Sequence, residues 1–150
     1  MSDYVIPFER VKMQDVEVVG GKNASIGEMI SHLAELGVKV PGGFATTAQA
    51  YREFLAQDGL DERIRSALAN LDVDDVTALA ETGARIRGWI MAARFPSALE
   101  TAVLGEFRRL SAGTEIAVAV RSAPTAEDLP ETSFAGQGET FLDFRGVANV

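Results

Sequence analysis

The sequence has no cysteine, one histidine, one tryptophan, three lysines and no long apolar run. Each shortage excludes something. Without cysteine there is no disulfide, no thiolate nucleophile and no cysteine-ligated metal, a usage that fits a reducing cytoplasm. No stretch approaches the ~20 apolar residues needed to span a bilayer. The opening ten residues, Met1 to Arg10, carry Asp3 and Glu9 and no apolar core, so they do not read as a signal peptide. A soluble, cytoplasmic protein with no membrane partner is expected. Positive charge is also scarce. Lysine and arginine total 14 against 22 acidic residues, a net charge of −8. That balance argues against a uniformly basic face and so against nucleic acid as a partner. It would also repel an anionic ligand at long range, so a site for one needs local cations and a metal ion.

What is present is enough for one ordinary domain. A chain of 150 residues, 47% of them hydrophobic, buries about 68–70% of the surface its unfolded form exposes. Val16 to Val19 is a β-branched run ending in Gly20-Gly21 and reads as a short strand. The period then changes to helical spacing at Ile26, Met29, Ile30 and Leu33, with Gly37 as the stop. The first unit is therefore expected to run strand, glycine turn, helix, with Lys22 at the helix N-terminus. Pro41-Gly42-Gly43 turns into an extended piece, Phe44 to Thr46, and Thr46 or Thr47 can cap a helix through Tyr51, Phe54 and Leu55. Asp58-Gly59 interrupts, and Ile64 and Leu68 mark another helix. Asp72 to Asp75 opens a longer helix with Val76, Leu79, Gly83, Ile86 and Ile90 on one face, its acidic start matching the helix dipole. Phe95-Pro96 ends it, and Pro96 suits the first turn of a helix bearing Leu99, Val103, Phe107 and Leu110.

After a turn at Ser111 to Thr114, the apolar run Ile116 to Val120 reads as a buried strand ending at Arg121. Residues 122 to 140 have no hydrophobic period, which is long for a connection and typical of functional or mobile loops. Phe141 to Phe144 alternates like a strand. The pattern predicts an α/β or α+β domain: a small sheet with a helical insertion between its early and late strands.

Two elements carry possible chemistry. In Gly20-Gly21-Lys22-Asn23-Ala24-Ser25, glycines admit close approach of a ligand, a helix N-terminus offers N–H groups, and Lys22 adds charge for a phosphate. This is not a Walker A loop, which needs glycine where Val16 stands and Ser or Thr where Asn23 stands. Taken alone, the plainer reading of an ordinary turn with a surface lysine is preferred. Against it, Lys22 is a lysine in a chain that uses arginine almost everywhere else. Arg121 closes an apolar run, where a strand end can present a guanidinium bidentately to phosphate. It fits equally a cation snorkelling out of a buried strand toward Glu127 or Asp128. Thr125 to Asp128 reads as the cap of a short turn before Pro130. His32 falls off the Ile26, Ile30 and Leu33 face and reads as solvated, and Trp89 as helix-packing material. No metal ligand is assigned.

The run Ala117-Val118-Ala119-Val120-Arg121-Ser122-Ala123-Pro124-Thr125-Ala126-Glu127-Asp128-Leu129-Pro130-Glu131-Thr132-Ser133-Phe134-Ala135-Gly136-Gln137 closely resembles a signature of the phosphoenolpyruvate synthases (pyruvate, water dikinases) and their dikinase relatives. Val19 to Met29 is similar to that family's opening, and Val40 to Thr47 follows at a similar spacing. Agreement with the water dikinases extends to Ala50-Tyr51-Arg52-Glu53-Phe54. The resemblance implies the N-terminal subdomain of an ATP-grasp nucleotide-binding domain. It implies ATP and Mg²⁺ as cofactors, with the metal ligands outside this chain. It further implies transfer from ATP through a phosphohistidine on a separate swivelling domain to pyruvate on a third, giving phosphoenolpyruvate, AMP and phosphate. By that resemblance Lys22 and Arg121 match the triphosphate-binding lysine and arginine, Arg121 also serving catalysis, while Gly136 and Thr140 match a loop that closes over the nucleotide. Ala123-Pro124 departs from a usual Ser-Ala, and Gly138 from a usual Gln. The chain is thus expected to be part of a larger enzyme, inactive alone, its partners being ATP and the remaining domains. The alternatives are a rifampicin-type antibiotic phosphotransferase and a stand-alone, non-catalytic nucleotide-binding module.

Overall fold

Residues 4–125 and 138–146 are described by the computed structural model. They divide into two units, Met1–Ala50 with Ala98–Val150, and Tyr51–Ser97.

In the first unit, strand β1 (Val5–Pro7) pairs antiparallel with β2 (Phe44–Thr46), with Ile6 opposite Ala45. The pairing is extended by Phe8 N–H to Gly43 O at 3.0 Å and Thr47 N–H to Tyr4 O at 2.9 Å. Short 3-10 turns at Phe8–Arg10 and Met13–Asp15 lead into helix α1 (Val16–Val19), then across Gly20 into α2 (Gly21–Glu35). Val11, Val19, Ala24 and Ala45 form the buried cluster, flanked by Ile6, Phe8 and Val16. Burying each of its two valines contributes roughly 1.5–3 kcal/mol.

The β-branched run Val16 to Val19 is therefore helical and not a strand. The reason is the direction of burial. Val16 and Val19 face the cluster at a spacing of three, while Glu17 and Val18 are exposed, and Gly20 N–H closes the turn on Val16 O at 2.8 Å. Packing of a helical face outweighs the few tenths of a kcal/mol by which valine disfavours helix.

Helix α2 runs as its period predicts and stops before Gly37. Its tightest face, however, is Ala24 and Gly27, with Met29 45% exposed. A Cβ on Gly27 would lie 2.3 Å from the Val11 carbonyl oxygen, so only glycine lets the helix rest on that backbone.

Helix α6 (Ser97–Ser111) buries Leu99 and Phe107, with Pro96 just outside its first residue. Arg109 bonds Glu106 at 2.6 Å and reaches Glu9 at 3.7 Å. The Glu106 hydrogen bond chiefly holds the Arg109 guanidinium pKa above its ordinary value. Then β3 (Ala117–Arg121) pairs antiparallel with β4 (Thr140–Arg145). Between Val118 and Val120 the ladder slips: β4 spends one residue more than β3, and Asp143 takes a φ of 60°. This bulge leaves the Phe141 and Phe144 rings edge to face at 5.9 Å.

Two expectations change here. Among the described residues the strands form two separate two-stranded sheets, not one small sheet. And β3 is not buried: Val120 is 38% exposed and, of its five residues, only Val118 is partly covered, because a two-stranded ribbon leaves its faces open unless another layer lies on them. The α+β character and the helical insertion stand.

In the second unit α3 (Ala48–Ala56), whose first turn is capped in the first unit by Thr47 Oγ1 accepting from Ala50 N–H, ends at a 3-10 turn, Gln57–Gly59. Asp58 and Gly59 there have φ of 49° and 68°, which separates α3 from α4 (Leu60–Ala69). Helix α5 (Val76–Ala92) packs on α4 and is capped by Asp75, whose carboxylate accepts from Ala78 N–H at 3.0 Å. The stripe expected on α5 is half-buried at Gly83, Ile86 and Ile90; Val76 and Leu79 are exposed. Phe54 and Phe95 rings meet at 5.5 Å, and Gln57 donates its amide to Arg94 O at 2.8 Å. Trp89 is half-buried, with the Arg63 guanidinium 4.8 Å from its ring centre. No helix among the described residues is long and apolar enough to cross a membrane.

Candidate nucleotide-phosphate site

Lys22 is the second residue of α2, and Arg121 is the last of β3. Both line one open cleft of about 390 Å³ in the first unit. Gly21, Asn23, Ser25 and Ile26 complete the helix side, and Ser122 and Ala123 continue the other wall. The local sequence explains why. Gly20 ends α1 and starts α2 in a conformation only glycine adopts readily, so the first turn of α2 opens beside the end of β3. The first N–H groups of a helix have no partner within it and carry the positive end of its dipole. The Asn23 side chain donates to Val19 O at 2.7 Å and spans the junction.

The chemistry of this cleft is that of an anion site: two cations of different kinds beside a helix N-terminus. Another cleft, about 430 Å³, lies along Ile30, Ala34, Gly37, Val38, Lys39 and Val40. Its one charged lining residue is Lys39, so it offers phosphate a single cation where the first cleft offers two.

Thr140 stands directly across from Arg121 in the ladder, at the first position of β4, and Ser122 N–H donates to Glu139 O at 3.2 Å. Sequence reasoning brought Lys22, Arg121 and Thr140 to attention, and all three lie in the first unit. Gly136 lies outside the described residues, as do Glu127 and Asp128. The contribution of Ser122 was missed; its place immediately after a strand-end arginine is the signal that could have found it. His32 is exposed and bonds Glu28 at 2.8 Å one turn back, away from the cleft residues.

Magnesium fits these residues poorly. Among the described residues no three of His, Asp and Glu come together to hold a metal ion, and the charged side chains lining the cleft, Lys22 and Arg121, are both cationic.

An α+β unit with two cations beside a helix start has the chemistry to take an anion. The family described as "Pyruvate phosphate dikinase, AMP/ATP-binding domain" matches residues 16–150, and the chain belongs to it. Its relatives include proteins named phosphoenolpyruvate synthase. That of Pseudomonas aeruginosa is 62% identical over 151 residues, covering 100% of this chain. That of Neisseria meningitidis is 59% identical over 152 residues and that of Escherichia coli 52% over 150, each covering 99% of this chain. The chain spans 19% of the length of each of these three relatives.

Proposed function

We propose that this chain is the ATP-binding N-terminal part of a phosphoenolpyruvate synthase, an ATP-grasp subdomain that holds the triphosphate of ATP between Lys22 and Arg121. The observation that carries the reading is the shared cleft: two cations distant in sequence line one groove at the start of α2. Sequence identity above one half to named phosphoenolpyruvate synthases supports the same enzyme over an antibiotic phosphotransferase. In this reading the whole protein takes ATP, water and pyruvate to phosphoenolpyruvate, AMP and phosphate through a phosphohistidine on another domain.

The role of these residues is electrostatic. Phosphoryl transfer asks little covalent chemistry of the protein, so positioning and charge neutralisation do most of the work. Lys22 supplies a point charge beside the α2 N-terminus, and Arg121 a planar fork that can take two phosphate oxygens. By the family resemblance Gly136 and Thr140 serve closure over the nucleotide, Thr140 acting from the first position of β4 opposite Arg121. The metal ion that ATP brings would be held by residues elsewhere in the longer protein.

The test is phosphorylation of the full-length protein from each end of the reaction. Lys22→Ala should slow labelling by MgATP strongly and leave labelling by phosphoenolpyruvate intact. Equal loss in both directions, or none with ATP, would sink the assignment of the cleft.

A further inference from the structure

Gly20 is buried, with φ 85° and ψ 155°, a backbone region that is essentially glycine's alone. It also faces an obstacle. A Cβ there would lie 2.6 Å from the carbonyl oxygen of Ala123 and 3.1 Å from that of Pro124. Both are backbone atoms, so no side chain can rotate aside. Three hydrogen bonds hold the junction on its own side. Gly20 N–H donates to Val16 O at 2.8 Å, Gly20 O accepts from Ala24 N–H at 3.0 Å, and the Asn23 amide donates to Val19 O at 2.7 Å. Residues 122–124 follow directly on Arg121, and Ser122 and Ala123 line the cleft that Lys22 also lines.

We propose that Gly20 is the positioning residue of this cleft: its backbone contact with Ala123 sets the spacing between Lys22 and Arg121. The inference rests on the triphosphate reading of the cleft. Gly20 itself touches no substrate. With the α1–α2 junction tied by three bonds, an added methyl group moves the 122–124 segment, and Arg121 moves with it. Displacement by about 1 Å of a group that positions substrate can cost on the order of a hundredfold in rate. The contact also gives Ala123-Pro124 a use, because a proline after Ala123 restricts the backbone that must lie on Gly20.

Three glycines separate the possible effects in the full-length protein. Gly20→Ala combines backbone strain with the clash. Gly37→Ala has strain alone, since φ is 74° and nothing lies within 4 Å. Gly27→Ala has a clash alone, against Val11, whose residues do not line the cleft. The measurements are MgATP affinity, the ATP KM and kcat of histidine labelling, labelling by phosphoenolpyruvate, and the melting temperature. Gly20→Ala should weaken MgATP by about tenfold or more and keep phosphoenolpyruvate labelling. Gly27→Ala and Gly37→Ala should lower the melting temperature and keep wild-type ATP affinity. Wild-type MgATP affinity in a folded Gly20→Ala protein overturns the proposal, as does an equal loss of affinity in all three variants. If Lys22→Ala also binds MgATP normally, the cleft reading itself has failed, a result distinct from failure of Gly20 alone. Should Gly20→Ala not fold, wild-type crystal structures with and without MgATP decide. The Gly20–Ala123 contact is expected in both, and its loss in the nucleotide complex overturns the proposal.

Discussion

Arg121 and Thr140 face each other across the β3–β4 ladder, at the last position of one strand and the first of the other. The next bond, Ser122 N–H to Glu139 O, ties the two ends of the intervening stretch together. Arg121 and Thr140 are thus held together beside the cleft that Arg121 lines. Arg121→Lys tests what the fork shape contributes. A point charge cannot take two oxygens in one plane, so the loss in transition-state stabilisation for ATP-driven phosphorylation should be about 2–4 kcal/mol. Single-turnover labelling by MgATP in the full-length protein reads it. Wild-type rates would reduce Arg121 to a strand-end cation.

His32→Ala should change little. The imidazole side chain is 71% exposed, and it bonds Glu28 on the same helix. Such i,i+4 pairs are worth about 0.3–0.5 kcal/mol. Urea titration should show a midpoint near that of wild type, and ATP-driven labelling should persist. A large loss of labelling with unchanged stability would make His32 functional after all.

Much of this was legible in the sequence because the signals were local. Glycine, proline and aspartate punctuate the helices, so the stop before Gly37, the break at Asp58-Gly59 and the cap at Asp75 are where turn chemistry puts them. What failed was non-local. Val16 to Val19 looks like a strand by composition, and only the cluster formed with Val11, Ala24 and Ala45 makes it a helix. Strand β1 was invisible because three residues carry no period, and its pairing with Phe44 to Thr46 is made across more than thirty intervening positions. The burial of β3 was misjudged because an apolar run looks alike whether or not a second layer covers it. At the cleft, Lys22 and Arg121 were legible as residue types beside glycine and a strand end. Their shared cleft followed from the family resemblance and not from any local signal, because nothing in either segment points to the other.

Asp75→Ala should cost about 0.5–2 kcal/mol. Asp75 is the N-cap of α5, and its carboxylate takes the Ala78 N–H at 3.0 Å. The effect belongs to the second unit, whose residues contribute nothing to the Lys22 cleft. Thermal unfolding should shift downward while MgATP affinity of the folded protein holds. Asp75→Asn, which keeps the accepting oxygen, should recover most of the loss.

The helical reading of Val16 to Val19 makes the most discriminating structural prediction, because a strand would reverse it. In a strand the side chains alternate, so Val16 and Val18 would share the inner face opposite Glu17. In the helix, Val16 and Val19 point inward; Val19 is 2% exposed and Val18 is 39% exposed. Valine and threonine have nearly the same shape, so exchanging them changes polarity with little change in packing volume. Val19→Thr places a hydroxyl in an apolar cluster and should cost about 1–3 kcal/mol by protein mutational scales. The cost falls toward the lower end if the hydroxyl bonds a carbonyl one turn back, as helical threonine can. Val18→Thr meets solvent and should stay within about 0.5 kcal/mol of wild type. Denaturant midpoints at constant m-value give both numbers from one pair of titrations. A costly Val18→Thr beside a neutral Val19→Thr would restore the strand and displace Gly20 from the start of α2. The approach of Lys22 to the cleft would then need a different explanation.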